Sequence, residues 1–179
     1  MAQNATIHKA DLQISDLDRH YYAGHNLTIA RHPSENEQRM MVRILAFIRH
    51  ANEQLAFTKG ISTDDEPDIW QLSLSDEIEV WIELGQPDEK RLRKACGRGQ
   101  EVYVYTYSGN SADIWWQQMQ NKVHSIDNLH VLNIPTDQVE ALTALAERSM
   151  IIQATIQDEE IWLSSEAGSC NIKPDVWKV

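Results

Sequence analysis

The sequence predicts an α/β protein, a mixed β-sheet flanked by helices, and three observations carry that prediction. Segments of strand and helix character alternate through the middle of the chain, an order that implies right-handed parallel crossovers in part of the sheet. One segment, residues 77–84, alternates cleanly with the period of a strand. At 179 residues with 42% hydrophobic content, the chain is long enough for one domain with a core and too short to favour two. Residues 1–179 are therefore read as a single domain.

The elements follow in order. Ile7, Leu12 and Ile14 stand among polar neighbours in an extended segment over residues 5–15, and a second covers 27–31 after the break Ala23-Gly24-His25-Asn26. The two are expected to pair antiparallel across a long polar connection holding Asp16, Asp18, Arg19, His20, Tyr21, Tyr22 and His25. His20 and His25 match no zinc spacing, so a polar loop is the favoured reading over ligands or acid/base groups. Ser34-Glu35-Asn36-Glu37 reads as a capping box that opens a helix. Met40, Met41, Ile44, Leu45, Phe47, Ile48 and Leu55 then recur at helical spacing to about Phe57.

Residues 59–66 are turn-rich and acidic, with Asp64, Asp65 and Glu66 read as loop acids, and Pro67 stops any helix running through. A short strand over 68–72 turns at Ser73, Ser75 and Asp76 into the 77–84 strand, giving a hairpin. In that second strand Ile78, Val80, Ile82 and Leu84 share one face, and Glu77, Glu79, Trp81 and Glu83 the other. Either the second face is wet and Trp81 is an exposed aromatic, or it lines a cleft into which Glu79 and Glu83 point together with Asp68. Gly85 closes the strand, and Pro87 falls at or near the first turn of a helix carrying Lys90, Arg91, Arg93 and Lys94.

Residues 101–107, EVYVYTY, form a central strand candidate with Val102 and Val104 opposite Tyr103 and Tyr105. A helix is expected over 113–123, a strand over 129–134, and a helix from a Thr136 or Asp137 cap to about Arg148. Strands over 150–155 and 161–163 flank Asp158-Glu159-Glu160 as a hairpin, and 171–179 reads as a tail.

A formal net charge of −11 and a pI near 5.0 argue against broad, non-specific nucleic-acid binding, which needs a basic surface, and leave room only for a local basic patch. Cys96 and Cys170 have no CxxC spacing and are read as reduced thiols. No apolar run approaches the roughly 20 residues of a membrane span. Residues 1–11 lack the pattern of a signal peptide, so a cytoplasmic protein without membrane contact is expected. The chemistry concentrates in 64–98, where acids precede bases. Such an order builds a divalent-metal site beside a phosphate-binding helix, or equally a charged edge strand followed by a solvated helix.

Four stretches resemble the YaeQ family of bacterial proteins: KADLQISDLDRHYYAGHNLTIARHPSE from Lys9, QRMMVR from Gln38, FTKGISTDDEPDIW from Phe57 and EVWIELGQPDEKRLRKACGR from Glu79. They span most of residues 5–110. That family is similar in fold to the PD-(D/E)xK nuclease superfamily. The resemblance implies a restriction-endonuclease-like core with N- and C-terminal β-hairpin additions, and a magnesium ion held by Asp68 and Glu83, with Glu79 as a further metal candidate. Gly85 stands where the superfamily places a lysine, and the resemblance implies Lys90 or Lys94 of the neighbouring helix as its replacement. Arg91, Arg93 and Arg98 are then phosphate-binding candidates, and Gln71 or Trp81 would shape the pocket. Three outcomes follow: a magnesium-dependent phosphodiesterase acting on nucleic acid, a nuclease-fold module that binds nucleic acid or an acidic protein without cleaving, or a regulatory protein whose Trp115-Trp116 and Tyr103 to Tyr107 segments meet a protein partner.

Overall fold

In the computed structural model, which describes residues 4–59 and 65–179, the chain is an α/β protein with two mixed β-sheets and four helices among the described residues. The elements run β1 (Thr6–Asp16), β2 (Tyr21–Arg31), α1 (Glu37–His50), β3 (Leu55–Phe57), β4 (Ile69–Leu72), β5 (Ile78–Leu84) and α2 (Glu89–Arg98). There follow β6 (Glu101–Thr106), α3 (Asn110–Val123), β7 (Leu129–Asn133), α4 (Thr136–Thr143), β8 (Ser149–Gln157), β9 (Glu160–Ser165), β10 (Gly168–Ile172) and β11 (Asp175–Lys178). They divide into two compact units, Met1–Arg49 with Asp137–Pro174, and His50–Thr136 with Asp175–Val179.

The first unit holds a five-stranded sheet in the order β10-β9-β8-β1-β2. Period-two patterning builds its inner face: Ala10, Leu12 and Ile14 of β1 are buried, as are Met150, Ile152, Ala154 and Ile156 of β8. The two terminal segments form one sheet rather than separate hairpin additions, because β1 pairs β8 in parallel. The expected long loop between the first two strands is instead mostly strand. β2 begins at Tyr21 and pairs β1 from Asp16↔Tyr21 through Thr6↔Arg31, leaving residues 17–20 as the turn. Pairing along a full-length partner overrides the weak strand preference of Gly24 and Asn26.

Helix α1 starts two residues later than a Ser34 cap would place it. Asn36 Oδ1 accepts the Arg39 N–H at 2.8 Å, while Ser34 Oγ bonds His32 Nδ1 at 2.7 Å. Every residue from Met40 to Ile48 is buried, so α1 is a core helix. It ends at His50, well before Phe57. Leu55–Phe57 pairs antiparallel with β4, so the last apolar residues of the expected helix are strand. Helix α4 is likewise shorter than expected, ending at Thr143.

The second unit holds a six-stranded sheet, β11-β7-β6-β5-β4-β3. β4 and β5 form the expected antiparallel hairpin, and β5, β6 and β7 run parallel through the crossover helices α2 and α3. Trp81, Leu92, Ala95, Val102, Val104, Trp115, Met119, Val123, Leu129 and Val131 make one core on the helix-covered side. The segment read as a tail, 171–179, supplies the last two residues of β10 to the first sheet and all of β11, paired with β7, to the second. Both cysteines are free and half-buried, and burial pushes each thiol up to about 11. No helix among the described residues is long and apolar enough to cross a membrane.

Candidate functional site

The hairpin β4–β5 brings two of the sequence candidates together. Asp68 immediately precedes β4, and its backbone N–H donates to Ile82 O at 3.1 Å. Its side-chain Oδ2 accepts the Leu84 N–H at 2.9 Å, so the residue after Glu83 holds the Asp68 carboxylate. Both acids are buried, Asp68 at 5% exposure and Glu83 at 4%.

Glu83 has two supporting donors. Trp81, two residues earlier on the same strand face, donates Nε1–H to Oε1 at 2.9 Å. Trp81 is buried at 1% and is not the exposed aromatic of a wet face, because helix α2 covers that side of the sheet. From α2, Arg91 donates Nε–H to both Glu83 oxygens at 3.0 Å and approaches Oε1 through Nη2 at 2.8 Å. Asp88 caps the helix by accepting the Arg91 backbone N–H at 2.8 Å, which fixes the turn from which the arginine reaches back. Burial pushes the Glu83 carboxyl up from its ordinary value of 4.5 and the Asp68 charge pushes the same way, while Arg91 and Trp81 oppose.

The rest of the basic helix scatters. Lys94 pairs Asp65 at 2.8 Å on the surface, and Arg98 Nη1 donates to Asp65 O at 2.5 Å with its guanidinium 5.1 Å over the Trp81 ring. Arg93 pairs Glu89 at 3.1 Å and donates to Lys122 O at 2.8 Å, away from the acidic pair. Lys90 is exposed. Glu79 shares the strand face of Glu83, but four residues of strand rise put its Cα about 13 Å away. Gln71 is half-buried on β4. Asp65 carries the expected loop-acid role, with its carboxyl lowered chiefly by the Lys94 hydrogen bond. Glu66 accepts the Lys59 N–H at 3.3 Å, and Asp64 lies outside the described residues. No group of three or more His, Cys, Asp or Glu side chains converges for a metal among the described residues.

Gly85 has a physical reason for standing where a motif lysine is expected. Its φ is +100°, a region that L side chains rarely adopt, and nothing lies within 4 Å of the position a Cβ would take. Backbone conformation, not crowding, disfavours a side chain there. The residue that sequence reasoning placed least accurately is Arg91, read only as a phosphate contact. Its signal was spacing: the first turn of a helix that follows a parallel strand across a short loop lies beside that strand's end.

Comparison with known proteins gives a consistent result. The family model of the YaeQ protein matches residues 1–174. The uncharacterised protein YaeQ of Escherichia coli strain K12 is 45% identical over 178 residues, covering 99% of this chain and 98% of its own length, and that of Salmonella typhi is equally similar. The crystal structure of YaeQ from Xanthomonas axonopodis pv. citri superposes with a TM-score of 0.95 at 44% identity, covering 98% of this chain and 99% of the other. That from Pseudomonas syringae gives 0.94 at 34% identity, with 99% and 98% covered.

Proposed function

The chain belongs to the YaeQ family, and on that premise we propose that it is a magnesium-dependent phosphodiesterase of the PD-(D/E)xK type in which Arg91 takes the place of the motif lysine. The observation that carries this reading is the juxtaposition of two buried carboxylates, Asp68 and Glu83, with a single helix-borne guanidinium. Hard carboxylate oxygens are the donors that Mg²⁺ takes, and it commonly uses one or two of them with water and substrate oxygens completing the set. The donor chemistry therefore fits the ion. When bound, the metal supplies charge beside a scissile phosphate and a more acidic water.

This chain's own residues do the remainder. The Leu84 N–H orients Asp68, and the Trp81 N–H orients Glu83. Arg91 neutralises Glu83 until a cation does so, and its planar fork is then available for a phosphate oxygen. Lys94 and Arg98, on the same helix and tied to Asp65, are further cations for a substrate backbone.

Calorimetry with Mg²⁺ and Mn²⁺ tests the proposal. The wild type is expected to bind at micromolar to millimolar strength, and Asp68→Asn to lose at least tenfold in affinity. A wild type that takes up neither ion would sink it. A second reading, a nuclease-derived module that binds without cleaving, is favoured by the closure of both Glu83 oxygens by Arg91. Metal-dependent retention of DNA or RNA with intact strands after incubation would select this second reading.

A further inference from the structure

A second furnished feature of the same unit lies at the C-terminal half of α3, beside β11. Trp116, Gln120 and His124 recur every four residues along one helix face. With Asn121, Trp177, Lys178 and Val179 they line a cleft of about 370 Å³. The Trp116 and Trp177 rings are half-buried and stack at 5.8 Å between centroids and 17° between planes. Lys178 Nζ is fixed at this cleft by donating to Ile126 O at 2.7 Å and Leu129 O at 3.1 Å, which leaves its third hydrogen to offer. Arg93 reaches the neighbouring Lys122 carbonyl.

In a chain of net charge −11, none of the residues lining this cleft is Asp or Glu. The cleft thus combines an aromatic wall, two neutral amide side chains with donors and acceptors, and the Lys178 ammonium. From these we propose that the cleft binds an unpaired nucleobase with its phosphate, as presented by a single-stranded nucleic acid. The base stacks on the tryptophan pair, Gln120 and Asn121 meet its polar edge, and Lys178 meets the phosphate. Each base presents a π-face, so the recognition is sequence-tolerant. Stacking also gives an acidic protein a way to hold a polyanion without a broad basic surface. This deepens the phosphodiesterase reading by naming a single strand as the substrate, and it rests on that reading only in taking the substrate to be nucleic acid.

The test is fluorescence anisotropy with labelled ten-nucleotide dT and dA strands and a labelled blunt duplex, together with calorimetry of 5′-AMP, all without added metal. Both single strands are expected to bind, and the duplex at least tenfold more weakly. Trp177→Ala and the exposed Gln120→Glu should each weaken strand binding about tenfold, while Trp177→Phe, which keeps a ring, stays within about threefold of wild type. Mg²⁺ binding measured by calorimetry should match the wild type in both the Trp177→Ala and Gln120→Glu proteins, which separates this cleft from the acidic pair. Equal binding of strand and duplex, or unchanged strand affinity in both the Trp177→Ala and Gln120→Glu proteins, overturns the proposal. Tight 5′-AMP binding without strand binding overturns it too, and assigns the cleft to a free nucleotide. Loss of magnesium binding with strand binding intact would instead remove the phosphodiesterase reading alone.

Discussion

Two glutamates of this protein are equally hidden from water and differently compensated. Glu35, 2% exposed in the first unit, receives Arg39 at 2.8 Å and Arg43 at 2.7 Å, so two guanidinium groups meet one carboxylate. Glu83, 4% exposed in the second unit, receives Arg91 and has a second buried carboxylate, Asp68, as its neighbour. A structural ion cluster is built to satisfy its charge. The Glu83 carboxyl is pushed up by burial and by Asp68 together, so its ionised form is held at a cost. Such tension is characteristic of sites that await a cation or a proton.

The largest expected effect comes from breaking the satisfied cluster. Glu35→Gln leaves Arg43, with a side chain only 9% exposed, beside a neutral amide. Removing one partner of a buried pair costs about 3 kcal/mol or more. Urea unfolding should show that loss as a lower midpoint at unchanged slope. A loss under about 1 kcal/mol would mean that Glu35 is no better compensated than Glu83.

Much of this contrast was legible in the sequence, though not all. Strong patterns were read correctly: the 77–84 alternation, the hairpin into it, the parallel middle strands and the Asp158-Glu159 turn all appear. Errors fell where partners overrode local signals. Gly24 looks like a strand break, yet its pairing with Gln13 keeps it in β2. Leu55 continues a helical stripe, yet it pairs antiparallel with Gln71 of β4. The placement of Asp68 before β4 and of Glu83 near the end of β5 was legible because the strand boundaries are marked by Pro67 and Gly85. Their partner Arg91 was not, because four basic residues within five positions of one helix look alike until the crossover angle decides which of them faces the strand. Glu35 went unnoticed for the same reason: its arginines lie at i+4 and i+8, a spacing that surface helices also show.

An intermediate effect is expected at Glu83. Glu83→Gln removes a desolvated charge along with its ion pair, and Arg91, with a side chain 27% exposed, keeps its hydrogen bond to Glu66 O at 3.0 Å. The net change should fall within about 1 kcal/mol at neutral pH, well below that of Glu35→Gln. The pH dependence sharpens this. The folded carboxyl titrates above the unfolded one at 4.5, so the folded state binds the proton more tightly. Stability therefore falls as pH rises from below the unfolded value through the raised folded value, and the cost is fully present above both. In Glu83→Gln that segment of the curve should vanish. A wild-type midpoint that rises over the same pH range, with the slope lost in the variant, would contradict the assignment.

The smallest effect belongs to an exposed carboxylate, Asp18. Asp158 and Glu159 form the turn between β8 and β9 with φ of 54° and 66°, a left-handed conformation that side chains other than glycine adopt reluctantly. Asp18 accepts both of their backbone N–H groups at 2.8 Å, and the bond from Glu159 is the first cause of its lowered pKa. A lowered folded pKa contributes stability above the unfolded value of 3.8 that is lost as pH falls through the folded one, the opposite sign to Glu83. Asp18→Ala should lower the thermal midpoint slightly at pH 7 and flatten the acid limb of the stability curve. Adding Glu159→Gly to that variant relieves the strained φ directly and should recover part of the loss. If the glycine recovers nothing, Asp18 acts through charge alone rather than by holding the turn.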